Sequence, residues 1–140
     1  MNKIVLGFPG VGKSYLAERC QEVSDSDSSR FHGEGWVSTY VDHLVQEAQA
    51  KPVVLGSTHS EVREEIQRRD CTYYMVYPQG ILKHEYLERY RLRGSPESFI
   101  SMMDAKWDEF INSCVNDFYA IPTVLASGMW LSDVVHPLGS

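Results

Sequence analysis

MNKIVLGFPGVGKSYLAERC, residues 1–20, changes character twice within twenty positions. Ile4-Val5-Leu6 is short and apolar, which suits a strand buried on both faces of a parallel sheet. Glycines at 7, 10 and 12 then break the run. From Lys13 to Cys20 there are no breakers, and Leu16, Ala17 and Cys20 share one helical face. The order is strand, glycine loop, helix. In that context G-x-x-x-x-G-K-[ST], filled here by Gly7, Gly12 and Lys13-Ser14, describes a phosphate cradle. Backbone N–H groups converge on the phosphates, the lysine reaches the outer ones, and the serine hydroxyl is placed to ligate Mg²⁺. The expected donor-binding set is Gly7, Pro9, Gly10, Val11, Gly12, Lys13, Ser14 and Tyr15, with Lys13 also catalytic.

The 140 residues suit one domain. Nineteen acidic side chains against 13 basic ones give a formal charge of −6, which disfavours diffuse binding to nucleic acid or an anionic membrane. Cys20, Cys71 and Cys114 are odd in number and form no C-x-x-C pair, which argues for reduced thiols and against zinc. The first strand starts within a few residues and no apolar run nears about 18 residues, so neither a signal peptide nor a membrane span is expected. The expected compartment is the cytoplasm.

Downstream, strands alternate with helices. Strands are expected at 22–24, 53–55, 71–77 and 121–126. Helices are expected from Trp36 to the Lys51-Pro52 stop, from about Ser60, over 80–93, from Ser95-Pro96 to Cys114, and over 130–135. Ser95 reads as an N-cap with Pro96 at the first helical position. Glu64/Arg68 and Glu65/Arg69 form i,i+4 pairs, and Phe99, Met102, Met103, Trp107, Phe110, Ile111 and Cys114 make a core stripe. The tail 137–140 is expected to be loose. The alternation predicts right-handed βαβ units in a three-layer α/β/α fold around a five-stranded parallel sheet. Ligands bind outside the carboxyl ends of such strands, where the glycine loop, Asp25-Ser26-Asp27, Ser57-Thr58-His59 and Ser127-Gly128 all fall.

The chain has no guanine-reading N-K-x-D, and no acid follows the third strand. Asp25 and Asp27 therefore supply the nearest carboxylates. Two apart in extended backbone, they face the same side, so that one can hold hydrated Mg²⁺ while the other accepts a proton from an acceptor hydroxyl. The plain alternative is a solvated turn.

GFPGVGKS, the early DSD and the helix EYLERYRLRG resemble the small P-loop kinases that include nucleoside monophosphate kinases, shikimate kinase and gluconate kinase. DSDSSRF, GSTHSEVREEI, VYPQGILKHEYLERYRLRG and GMWLSDVV are similar to bacteriophage-encoded P-loop proteins described as adenylate-kinase-like or deoxynucleotide-kinase-like, over nearly the whole chain. The resemblance implies a nucleotide-kinase-like P-loop fold with ATP and Mg²⁺, in host cytoplasm if phage-encoded. It makes Asp25 the magnesium residue with Ser14 and Asp27 the acceptor-hydroxyl residue. Arg89 and Arg93 would bracket the transferring phosphoryl group, with Arg91 facing away, and Gly128 would border the adenine. Only Gly94-Ser95-Pro96 separates this helix from the next, so the lid is short. For the acceptor, Arg30, His59 and Arg63 are the expected contacts, near Phe31 and Trp36. The expected activity is ATP-dependent phosphoryl transfer to a small acceptor, foremost a deoxynucleoside monophosphate. A kinase for a metabolite or modified-base hydroxyl, and a nucleotide-binding regulator without turnover, are the alternatives.

Overall fold

A computed structural model describes residues 3–26 and 28–135. The role given to Asp27 and the loose tail over 137–140 therefore lie outside the described residues. Five strands form one sheet: β1 (Lys3–Gly7), β2 (Val23–Asp25), β3 (Val53–Gly56), β4 (Tyr74–Pro78) and β5 (Ile121–Leu125). Six helices connect and follow them: α1 (Lys13–Arg19), α2 (Trp36–Ala50), α3 (Ser60–Arg68), α4 (Lys83–Leu92), α5 (Glu97–Val115) and α6 (Leu131–Val134).

The sheet order is β2-β3-β1-β4-β5 with every neighbouring pair parallel. β1 is thus central, with β3 on one side and β4 on the other. The chain crosses β1 between β3 and β4, and a crevice opens at that switch, outside the strands' carboxyl ends. Leu6, Val54, Leu55 and Met75 are fully buried, as strands covered on both faces require. β5 is an edge, where Pro122 and its missing N–H are tolerated. Among the described residues no helix is long and apolar enough to cross a membrane.

Three expectations need correction. β4 begins at Tyr74 rather than Cys71 and includes Pro78. The helix expected over 80–93 is a 3-10 turn, Gly80–Leu82, running into α4. α5 takes Pro96, not Ser95, as its N-cap (φ −59°, ψ 147°). The Ser95 hydroxyl is used instead by Arg93, whose Nε donates to it at 2.7 Å. The surface pairs on α3 form as expected, Arg68 to Glu64 at 3.9 Å and Arg69 to Glu65 at 2.9 Å.

Candidate active site

The loop between β1 and α1 is fixed through its carbonyl groups. Lys13 Nζ donates to Gly7 O at 2.7 Å, Tyr90 Oη to Pro9 O at 2.8 Å and Arg89 Nη1 to Gly10 O at 2.9 Å. The backbone completes the set: Val11 N to Phe8 O (3.2 Å), Leu131 N to Val11 O (2.8 Å) and Leu16 N to Gly12 O (3.2 Å). Every carbonyl from residue 7 to residue 12 is therefore engaged. Among the described residues, the N–H groups of Gly10, Gly12, Ser14 and Tyr15 have no protein acceptor. Unpaired N–H donors at the start of a helix suit an anion.

Two glycines in the loop are dictated by conformation and by contact. Gly10 has φ +91° and a Cβ there would lie 2.8 Å from the Tyr90 ring; Gly12 has φ +99° and a Cβ would meet Trp130 at 3.0 Å. The loop is thus packed between α4 and α6.

Arg89 belongs to this packing. Its Nη2 donates to Met129 O at 2.9 Å and pairs with Glu85 at 3.1 Å, and its guanidinium lies between the rings of Tyr86 (4.3 Å) and Trp130 (3.7 Å). Glu85 in turn accepts from the Gly128 N–H at 3.0 Å and from the Ser127 hydroxyl. The Gly128 N–H, the Ser127 hydroxyl and the Arg89 guanidinium hold the Glu85 carboxyl below its ordinary pKa, against the opposing effect of burial. Burial pushes the Tyr86 phenol up to about 12. Arg93, one turn further on, is exposed and packs over Tyr90 and Phe99. Arg89 lies within α4 and Arg93 is its C-cap, and the two do not share an environment.

A cavity of about 510 Å³ starts at Lys13, Ser14 and Asp25 and runs past Ser57-Thr58-His59 to α5 and Arg93. The Ser14 hydroxyl donates to Asp25 Oδ2 at 3.2 Å, which puts two hard oxygen donors side by side beneath the loop. Mg²⁺ is held by one or two carboxylates together with substrate phosphates, so this pair fits it. Tyr40, fully buried, orders the neighbouring turns: its hydroxyl donates to Ser26 O at 2.7 Å and accepts from Ser57 N at 3.2 Å. It joins the ends of β2 and β3.

Arg63 lines the cavity and is 6% exposed, and four of the five N–H donors of its guanidinium are bonded within the protein. It donates to Thr58 O (3.0 Å), Ser113 O (3.1 Å), the Ser113 hydroxyl and Asp117 (3.2 Å). Asp117 also accepts from Tyr73 Oη at 2.6 Å and from the N–H groups of Tyr119 and Ala120. Burial alone would raise the Asp117 carboxyl, but these hydrogen bonds and Arg63 outweigh it and hold it below the ordinary range. The network braces α3 against the end of α5, so the structure gives Arg63 a bracing set of partners in place of an open guanidinium.

The remaining expected residues divide. His59 is exposed at the N-cap of α3, makes no side-chain cap bond, and meets Trp36 edge-on at 6.0 Å. It lines the cavity, as Arg93 does. Arg30 ends an exposed 3-10 turn outside the cavity lining, and Tyr15 points outward beneath the Arg19 guanidinium. Gly128 sits in the β5–α6 turn with φ +77°. The α5 stripe splits as well. Trp107 and Ile111 are core, whereas Phe99, Met102 and Phe110 are less buried and, with Met103, wall the cavity. Sequence reading assigned no site role to Tyr40, Glu85, Trp130 or this wall.

The fold is similar to that of the tunicamycin resistance protein of Deinococcus radiodurans, with a TM-score of 0.57 at 16% identity over 92% of this chain and 88% of that one. No protein-family model and no curated protein matches the sequence. The strand order, the loop and this likeness give a nucleotide-kinase-like α/β fold.

Proposed function

We propose that the chain is a magnesium-dependent phosphotransferase that moves the γ-phosphoryl group of ATP onto a small acceptor of the nucleoside and nucleotide class. The observation that carries this reading is the engagement of all six carbonyls from Gly7 to Gly12, which leaves N–H groups as the loop's open hydrogen-bonding face. Bound magnesium would neutralise charge on the outer phosphates, and Ser14 and Asp25 are the residues to hold it. Lys13 exchanges its bond to Gly7 O for a phosphate oxygen. Arg93, on the cavity wall, balances charge that spreads over the transferring group. An acceptor oxygen bonds to the γ-phosphorus as the bond from that phosphorus to the β,γ-bridging oxygen breaks, and ADP leaves. A hydroxyl acceptor passes its proton to a carboxylate, the role the sequence gives Asp27. The nucleotide class of acceptor rests on the sequence resemblance.

ADP release and product formation, measured with ATP, Mg²⁺ and a panel of nucleosides and nucleotides, test the reading. Turnover should require Mg²⁺ and Lys13. No product above acceptor-free hydrolysis with any member of the panel would contradict it.

A further inference from the structure

Beyond the phosphate loop the cavity continues between the end of β2, the β3–α3 turn and α5. We infer that this part takes an uncharged alcohol with a flat apolar body, of nucleoside size, in preference to a phosphate monoester. The inference rests on the phosphotransfer reading and specifies its acceptor.

Charge is the first ground. The charged residues lining the cavity are Lys13, Asp25, Glu61, Arg63 and Arg93. Lys13 and Asp25 stand at the loop, where the donor phosphates go. Arg63 is neutralised by Asp117, and three more of its five N–H donors go to Thr58 and Ser113. Arg93 is left as the guanidinium on the lining without a carboxylate partner among the described residues, and Glu61 offsets it. The phosphoryl group in flight needs that cation itself. An acceptor phosphate would add about two negative charges, and sites built for such groups bring bidentate arginines of their own. A formal charge of −6 over the chain adds to the repulsion.

The second ground is the lining. Phe99, Met102, Met103 and Phe110 give an apolar wall along α5, suited to a flat ring system. Ser26 and Ser57 line the same cavity, and both Oγ atoms are buried without a hydrogen-bond partner among the described residues; Ser26 is 2% exposed. Buried hydroxyls are nearly always paired, and a ligand with its own hydroxyls or ring heteroatoms supplies the missing partners. An apolar wall facing unpaired neutral hydroxyls matches a nucleoside better than a second phosphate.

Initial rates with saturating MgATP, measured on matched pairs such as thymidine and thymidine 5′-monophosphate, with products identified by ³¹P NMR, decide the question. The expected kcat/KM is at least tenfold higher for the uncharged member. A smaller ratio, or the reverse, overturns the inference and leaves phosphotransfer standing. Lys13-dependent ATP binding with no transfer to either member of any pair overturns the inference and leaves only the ATP-binding part of the phosphotransfer reading. Failure to bind ATP at all removes the phosphotransfer reading itself. Met102→Arg, at a position 37% exposed, adds a cation to the wall and should narrow the ratio at least threefold. An unchanged ratio would contradict the charge argument.

Discussion

The two ends of the cavity are built from different materials. The loop end is backbone: the six carbonyls from Gly7 to Gly12 are tied down by Lys13, Arg89, Tyr90 and the chain itself, and the N–H groups of Gly10, Gly12, Ser14 and Tyr15 are left open among the described residues. The α5 end is side chain, an apolar wall and a set of hydroxyls brought together from β2, the β3–α3 turn and α5. A backbone cradle recognises what phosphates have in common. A side-chain wall selects among molecules. The difference implies that changes at the first end abolish the chemistry, whereas changes at the second redirect it.

The largest effect should come from breaking the brace behind the wall. Arg63→Met leaves the Asp117 carboxylate buried, with 2% of its side chain exposed, and without its cation. Such a loss costs about 3–5 kcal/mol. The melting temperature should drop by roughly 10 °C, read by calorimetry. Because the Asp117 carboxyl is held below its unfolded pKa, its contribution is fully present above that value, about 4, and is lost as pH falls through the folded pKa. Asp117→Asn should therefore flatten the acid limb of stability below about pH 4, relative to wild type. An unchanged limb would show that the brace is not electrostatic.

At the loop end, Lys13→Ala should lower turnover by roughly 10²–10³-fold, the scale of one lost transition-state contact, and weaken ATP binding as well. Next come the two arginines. Arg93→Ala should reduce kcat by about 10²-fold with little change in melting temperature. Arg89→Ala should act the other way round. It removes the donor to Gly10 O and Met129 O and the partner of Glu85, and should cost about 2–3 kcal/mol of stability. Equal losses of stability in both variants would erase the division between them.

The smallest effect is expected at the wall. Phe110→Ala should raise acceptor KM by about tenfold, the scale of removing one half-buried ring, with ATP affinity unchanged and partial rescue by Phe110→Leu. A parallel loss of ATP affinity would mean that the wall serves the donor.

The loop was readable because its eight residues are consecutive and each type has a local reason to be there. The strands followed from the same kind of local signal, apolar runs ending in polar turns, whereas the choice of Asp25 as the partner of Ser14 came from the family resemblance. What escaped depends on distant partners. Arg89 and Arg93 look alike in sequence, but Arg89 is claimed by carbonyls 79 and 40 positions away. Arg63 is claimed by Ser113 and Asp117, 50 and 54 positions on. Tyr40 and the α5 wall sit at helical spacing that serves core and cavity alike, so periodicity could not divide them. Ser95 carried a good capping signal and lost its hydroxyl to Arg93.

The central claim is that Lys13, Ser14 and Asp25 hold the phosphates of ATP together with magnesium. Isothermal titration of ATP into the wild-type protein and into Lys13→Ala and Asp25→Asn, each with and without Mg²⁺, tests it most directly. The account predicts wild-type binding that tightens with Mg²⁺, a loss of binding in Lys13→Ala, and binding in Asp25→Asn that Mg²⁺ no longer tightens. Wild-type protein that binds no ATP, or binds it equally well with and without Mg²⁺ and Lys13, would contradict it.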